Sequence, residues 1–205
     1  KNNKSVIEKK VSNNFNLNIN MKGEVKYSIF PSPRIKLYDV EILSFSNSKY
    51  KIGFAEKVTL NIPFTKLINF KKINFNFAKL FNAQINIQTS EFKNFKKYLK
   101  DDKRKHSVQL VNSKINFLDK EQLLLILNIK KIDFFNEDLA HKTRLEGKVF
   151  NNDIKAEYQY LDIGEKPTST FAFAFPKIGI KINSKINFDK KEKINYGNTK
   201  ILYPN

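Results

Sequence analysis

Short alternations of apolar and polar residues, repeated along most of the chain, constrain its fold more than any other feature. Phe15, Leu17, Ile19 and Met21 alternate with Asn16, Asn18, Asn20 and Lys22. The same period recurs in Val58, Leu60, Ile62 and Phe64, then in Ile73, Phe75 and Phe77, and in Ile85 and Ile87. It returns in Ile115 and Phe117, in Leu125, Leu127 and Ile129, and in Phe171, Phe173 and Phe175. Successive side chains of a strand point to opposite faces, so each segment reads as a strand with one apolar face. About a dozen such segments make the fold class mainly β. An apolar sheet face needs cover from a second sheet, a helix or a ligand. Two architectures satisfy this: a closed β-sandwich or barrel, or a bent, open, gutter-shaped sheet whose concave face holds lipid acyl chains. The alternation by itself favours the closed form.

One stretch adds direction. From Gly23 to Ile42 a turn glycine precedes the strand-like run Glu24 to Phe30, a Pro31-Ser32-Pro33 corner and a second run, Ile35 to Ile42. Proline fixes φ, removes a donor and pushes its predecessor towards extended conformations, so the segment reads as a hairpin arm with a rigid bend at a sheet edge. Apolar residues fall at Ile35 and Leu37 and then at Val40 and Ile42. The parity change at Tyr38-Asp39 is what a β-bulge produces.

Gly23, Val25, Pro31, Pro33, Ile35, Leu37, Asp39, Val40 and Ile42 together resemble the opening of the AsmA-like family of bacterial envelope proteins, with TamB and chorein-type lipid-transfer proteins as more distant relatives. The strands around Ile73 to Ile87, the Asn112 to Asp119 strand and the order of segments to Phe171 extend the resemblance over most of residues 15–190. It implies a curved, largely antiparallel sheet forming an open groove with one or two short helices, the closed sandwich remaining as alternative. It also implies a periplasmic protein tied to the inner membrane by an anchor absent from this chain. The implied function is binding or transfer of phospholipid between inner and outer membrane. A non-enzymatic assembly factor of the outer membrane, binding proteins rather than lipid, is the second reading.

Taken in order, residues 1–14 read as a polar, weakly helical lead-in and 15–205 as one β-groove domain, with a sub-boundary at 101–107. Asn47 to Lys51 is expected to be a loop, Thr65 to Phe70 a turn, and Ser90 to Lys100 a helix. That helix has Phe92, Phe95 and Leu99 on one side and plugs an end of the sheet. His106 falls in the charged loop 101–107 and His141 in a polar connection from Asn136 to Lys142, both solvated. The run Leu123 to Ile129 is apolar at consecutive positions and reads as buried on both sides. Arg144 to Phe150 and Asp153 to Leu161 read as a hairpin around Asn151-Asn152. The final strands are placed at Ile178, Ile180 and Ile182 and at Ile186 and Phe188. NSKINF occurs at Asn112 to Phe117 and again at Asn183 to Phe188, which suggests a repeated unit.

Composition excludes more than it selects. The 205 residues contain no cysteine, which removes disulfides and thiolate chemistry, and only two histidines. No nucleophile elbow, zinc-binding helix motif or phosphate loop is present, so no catalytic residue, metal site or cofactor is assigned and the chain reads as a non-enzyme. The net charge of +18, from 38 Lys plus Arg against 20 Asp plus Glu, suits an anionic membrane surface or a nucleic acid. The joint excess of Lys, Asn, Ile and Phe is also what nucleotide bias produces, so the charge alone decides nothing. The aromatics alternate inward and Arg occurs only at Arg34, Arg104 and Arg144, which disfavours a nucleic-acid partner. Phospholipid acyl chains are the expected partner. The groove candidates are Phe15, Leu17, Ile19, Val58, Leu60, Ile62, Ile73, Phe75, Phe77, Ile85, Ile87, Ile115, Phe117, Leu125, Leu127, Phe171, Phe173 and Phe175.

Overall fold

The structure, a computed structural model, describes residues 2–15, 17–44, 50–64, 75–91 and 105–204. The expected turn at Thr65 to Phe70, Ile73, and the expected helix from residue 92 onward lie outside the described residues.

Helix α1 (Asn2–Phe15) is followed by β1 (Ile19–Met21), β2 (Val25–Ser28), β3 (Arg34–Leu43), β4 (Lys51–Asn61) and β5 (Phe77–Gln88). After a single 3-10 turn at Thr89–Glu91 come β6 (His106–Asp119), β7 (Gln122–Glu137), β8 (Ala140–Val149) and β9 (Asn152–Leu161). The chain closes with β10 (Thr168–Phe175), β11 (Ile180–Asp189) and β12 (Ile194–Leu202). All twelve strands form one curved, open sheet in chain order, with β1 and β2 sharing the edge beside β3. Every pairing is antiparallel except β5 with β6. The expected groove-forming sheet is therefore the observed one, and β1 and β12 do not meet to close it.

Several boundaries differ from the sequence reading, each for a physical reason. Phe15 ends α1 rather than starting a strand, because Ile7, Val11 and Phe15 recur every four residues and make one helical stripe. His106 and Ser107 belong to β6, not to a loop. The polar connection after Asn136 shrinks to a turn at Asp138-Leu139, since β8 begins at Ala140. The β8–β9 turn is centred one residue earlier than expected, on Phe150 (φ 46°) and Asn151 (φ 62°), with Asn152 already paired to Val149. β7 is not buried on both sides, since Leu123 and Leu124 are both about half exposed. Ile178 sits in a 3-10 turn, and the segments at Ile180 and Phe188 are one strand, β11. The two NSKINF copies have different neighbours: the first, in β6, runs parallel to β5, while the second, in β11, is antiparallel to both β10 and β12. β12 lies beyond the last strand expected from the sequence.

The one-residue bulge expected at Tyr38-Asp39 is instead a paired break: β3 keeps one register with β4 on both sides of it, Asp39 and Glu56 being skipped together, while the register shifts between Ile42 and Leu43. The break is one point on a line that crosses the sheet. Asp39 (φ 51°), Asn82 (φ 50°) and Asn112 (φ 49°) are all left-handed, and none has a partner in the antiparallel register. Glu56 on β4 and Lys130 on β7 are skipped at the same level. On each of these strands the buried parity flips there: Leu37 to Val40, Ala55 to Val58, Leu80 to Ala83 and Leu110 to Ser113. One residue is skipped on both strands of each antiparallel pair from β3 to β7 with the register kept, and a register shift follows at Lys130 between β7 and β8, so these level breaks fold the sheet along a common crease. Small residues line the inner side of that crease: Ala55, Ala83, Ser113 and Gly147. Where the β5–β6 ladder skips, Ala83 donates its N–H to the Ser113 hydroxyl at 3.1 Å, and that hydroxyl donates to the Val111 carbonyl at 3.0 Å. At the edge the crease passes between β1 and β2. There Gly23 donates to Tyr38 O at 3.1 Å, and a Cβ on Gly23 would stand 2.6 Å from that oxygen. Only glycine fits against the Tyr38 backbone.

The apolar groove and its two halves

Residues directly opposite in neighbouring strands share a face. Following the pairings from β2 to β12 gives Val25, Leu37, Val58, Leu80, Leu110, Ile132, Leu145, Ala156, Phe173, Ile182 and Ile201. Every member is apolar. The adjoining row on the other face reads Lys26, Lys36, Thr59, Lys79, Gln109, Asp133, Arg144, Glu157, Ala172, Asn183 and Lys200. Along these rows the inside of the curve is hydrocarbon and the outside is mostly charged or polar.

The two ends of the apolar row differ in cover. Over β3 to β6 helix α1 presses Ile7, Val11 and Phe15 onto it, and Leu37, Val58, Leu80 and Leu110 are buried. The helix is held by Lys4 Nζ donating to Gly23 O (2.6 Å) and by Glu8 accepting from the Met21 N–H (2.8 Å). Asn14 accepts from the Phe75 N–H (3.4 Å). The contiguous buried cluster reaches Ile129 on β7 and stops there. Beyond it burial on the same face is confined to Ile154, Asn136 and His141, and towards the far edge the face opens: Phe171 is 41% exposed, Ile186 45% and Ile201 47%.

The groove candidates divide along this boundary. Phe15, Ile19, Val58, Leu60, Ile62 and Phe75 are buried in the covered half, and Leu17 packs against it half-buried. They are protein core. Ile85, Ile87, Ile115, Phe117, Leu125 and Leu127 line the inner face on one side of the crease, at its middle. Phe171, Phe173 and Phe175 lie in the open half, their rings in contact at centroid distances of 6.0 and 4.8 Å. Phe77 is a correction. It pairs with Ser107 on the charged face, because the parity break at Asn82 puts Ala78 and Leu80 inside instead. Phe81 is also outside, with the Lys57 and Lys79 ammonium groups 4.1 and 4.8 Å from its ring centre. Pro33 is buried and its carbonyl accepts from the Ile62 N–H at 2.9 Å, while Pro31, joined to Phe30 by a cis bond, is exposed.

Both histidines were expected to be solvated, and both are buried on the inner face. His106, Asn136, His141 and Tyr160 stand side by side across β6 to β9, at the end of the strands away from Leu125. His106 meets the Phe15 ring edge-on at 5.6 Å, and His141 stacks on Tyr160 at 5.7 Å. Burial pushes the Tyr160 phenol above its ordinary pKa, helped by the Asp162 carboxylate. The sequence signal was available: His106 is in phase with Val108 and Leu110, and His141 with Thr143 and Leu145. Alternation extended backwards would have placed them inside.

On the outer face the charges pair. Glu157 accepts from Lys142 (2.8 Å) and Arg144 (2.9 Å), and these hydrogen bonds hold its carboxyl below the usual range. Burial pushes Asp133 up, but hydrogen bonds from Lys131 and Gln109 outweigh it and leave its pKa lowered. Among the described residues no helix is long and apolar enough to cross a membrane. The family model described as the AsmA family matches residues 1–205. No curated protein matches the chain.

Proposed function

The chain belongs to the AsmA family, and on that premise we propose that it is a bacterial envelope protein that holds phospholipid acyl chains in the open half of its groove, over β7 to β12. The observation that carries this is the unbroken apolar row from Val25 to Ile201, roofed by α1 at one end and bare at the other. Burying such a face is worth about 25 cal/mol per Å² of apolar surface, and fatty tails supply the missing partner without requiring any catalytic group. The role is carriage rather than catalysis. Periplasmic placement and phospholipid transfer towards the outer membrane are parts of the same proposal.

Mass spectrometry of organic extracts from the purified protein tests it. Phospholipid should co-purify with the native chain and be lost from Phe173→Glu, whose carboxylate would lie among acyl chains. Lys181→Glu, on the outer face beside it, should keep its lipid. Native protein that is free of lipid after gentle extraction from membranes would reject the reading.

A further inference from the structure

The outer face of the sheet does not carry its charge evenly. Over β6 to β9 cations and carboxylates pair: Lys131 with Asp133, and Lys142 and Arg144 with Glu157. Over β2 to β5 the same rows hold Lys26, Arg34, Lys36, Lys57 and Lys79. Among the described residues their one carboxylate is Glu24, which Lys26 takes at 3.0 Å. Glu56, at the crease beside them, accepts from the Asn82 amide at 2.6 Å. This part of the surface is basic with little local compensation.

The corner between β2 and β3 adds hydrocarbon to the end of it. Ile29 is 72% exposed, and Phe30, at 86%, is the most exposed large apolar side chain among the described residues. The backbone beneath that ring is braced: the Phe30 carbonyl accepts from Ser28 Oγ (3.0 Å) and Arg34 Nη2 (3.2 Å), and Pro31 and Pro33 follow. The Ile62 bond to Pro33 O ends β4 at the foot of the corner, where the exposed Phe64 follows. Lys36 is two residues from Arg34, about 7 Å along the strand. Its charge therefore acts, within a Debye length of about 8 Å, on whatever the corner touches. Exposure alone does not single out this corner. Phe150, at the opposite end of the strands, is 76% exposed, but Lys148 and Lys177 beside it both face Asp153, at 3.8 and 3.2 Å.

We infer that the β2–β3 corner and the basic outer face of β2 to β5 dock on a bilayer that contains anionic phospholipid. Ile29 and Phe30 enter the headgroup boundary while Arg34, Lys36 and Lys79 face lipid phosphates. A nucleic acid would match the cations but leave both apolar side chains in water. The surface lies outside the groove, so docking does not depend on what the groove carries.

Vesicle co-sedimentation of the full chain tests this, with phosphatidylcholine alone or mixed two to one with phosphatidylglycerol. The native chain should bind the mixed vesicles at least tenfold more tightly, and lose that preference in high salt. Phe30→Ser, and separately Lys36→Glu with Lys79→Glu, should each weaken binding at least tenfold with an unchanged circular dichroism spectrum. Lys155→Glu, the same charge change on the outer face of β9, should bind better than the Lys36/Lys79 pair by that factor. Phe173→Glu should bind as the native chain does, even if no lipid proves to occupy the groove. The chain has no tryptophan, so Phe30→Trp supplies a single fluorophore. Its emission should shift to the blue on mixed vesicles and be quenched by brominated acyl chains, whereas Phe150→Trp should do neither. A native chain indifferent to phosphatidylglycerol, or a Phe30→Trp emission that does not move, overturns the inference. Binding to duplex DNA but not to vesicles overturns it in favour of a nucleic acid.

Discussion

Truncating members of a single apolar row should cost very different amounts, although sequence gives no reason to separate them. Leu37 and Ile201 lie on the same face, Leu37 with none of its surface exposed and Ile201 with 47% exposed. Leu37→Ala removes roughly three methylene equivalents at about 0.8 kcal/mol each, or about 2.4 kcal/mol of transfer free energy. Helix α1 and the neighbouring strands cannot collapse fully onto the gap, and the cavity term raises the total to about 3–4 kcal/mol. Ile201→Ala removes the same bulk, but about half of it already contacts water and no closed cavity forms, so the loss is about 1 kcal/mol. Urea denaturation of lipid-free protein measures both, with the slope checked for constancy between variants. Adding lipid should stabilise native and Leu37→Ala protein by equal increments, since neither differs in the open half. The increment for Phe173→Ala should be smaller. Equal losses for Leu37→Ala and Ile201→Ala would mean that something covers β12 as fully as α1 covers β3, and the division of the groove into two halves would be wrong.

Two further outcomes follow from the crease and the ion pairs. Gly23→Ala places a methyl group 2.6 Å from the Tyr38 carbonyl oxygen, which backbone cannot yield easily, so urea denaturation should show a loss of about 1–3 kcal/mol; a neutral substitution would show that the β1–β2 break has room to move. Asp133 and Glu157 have lowered folded pKa values, so the stability they contribute is complete above their unfolded values and is lost as pH falls through the folded ones. The urea midpoint should hold between neutrality and about pH 5 and drop below about pH 4, with part of that drop absent in Glu157→Gln. A midpoint that rises on acidification would contradict the sign.

Period-two alternation and the parity change at Tyr38-Asp39 determined, by themselves, that this chain is a β-protein with one greasy face and that β3 is interrupted there, because side-chain parity is local. That the interruption is a break shared with β4 and not a one-residue bulge came from the pairing. The same locality placed Phe171, Phe173 and Phe175 together on one face. What only the tertiary structure decided depends on register between strands far apart in sequence. The breaks at Asp39, Asn82 and Asn112 become a crease only when pairing sets them level. Val58 becomes core because it lies in the buried cluster under α1, and Phe173 lies beyond the end of that cluster at Ile129. Phe15 changed from strand to helix because its fourfold spacing with Ile7 and Val11 found a sheet to pack on. His106 and His141 moved inside because their strands start earlier than their polar neighbours suggest. β12 escaped the sequence reading because its alternation is weak, with Asn195, Gly197 and Thr199 on the inner side, and pairing with β11 supplies the order that hydrophobicity does not.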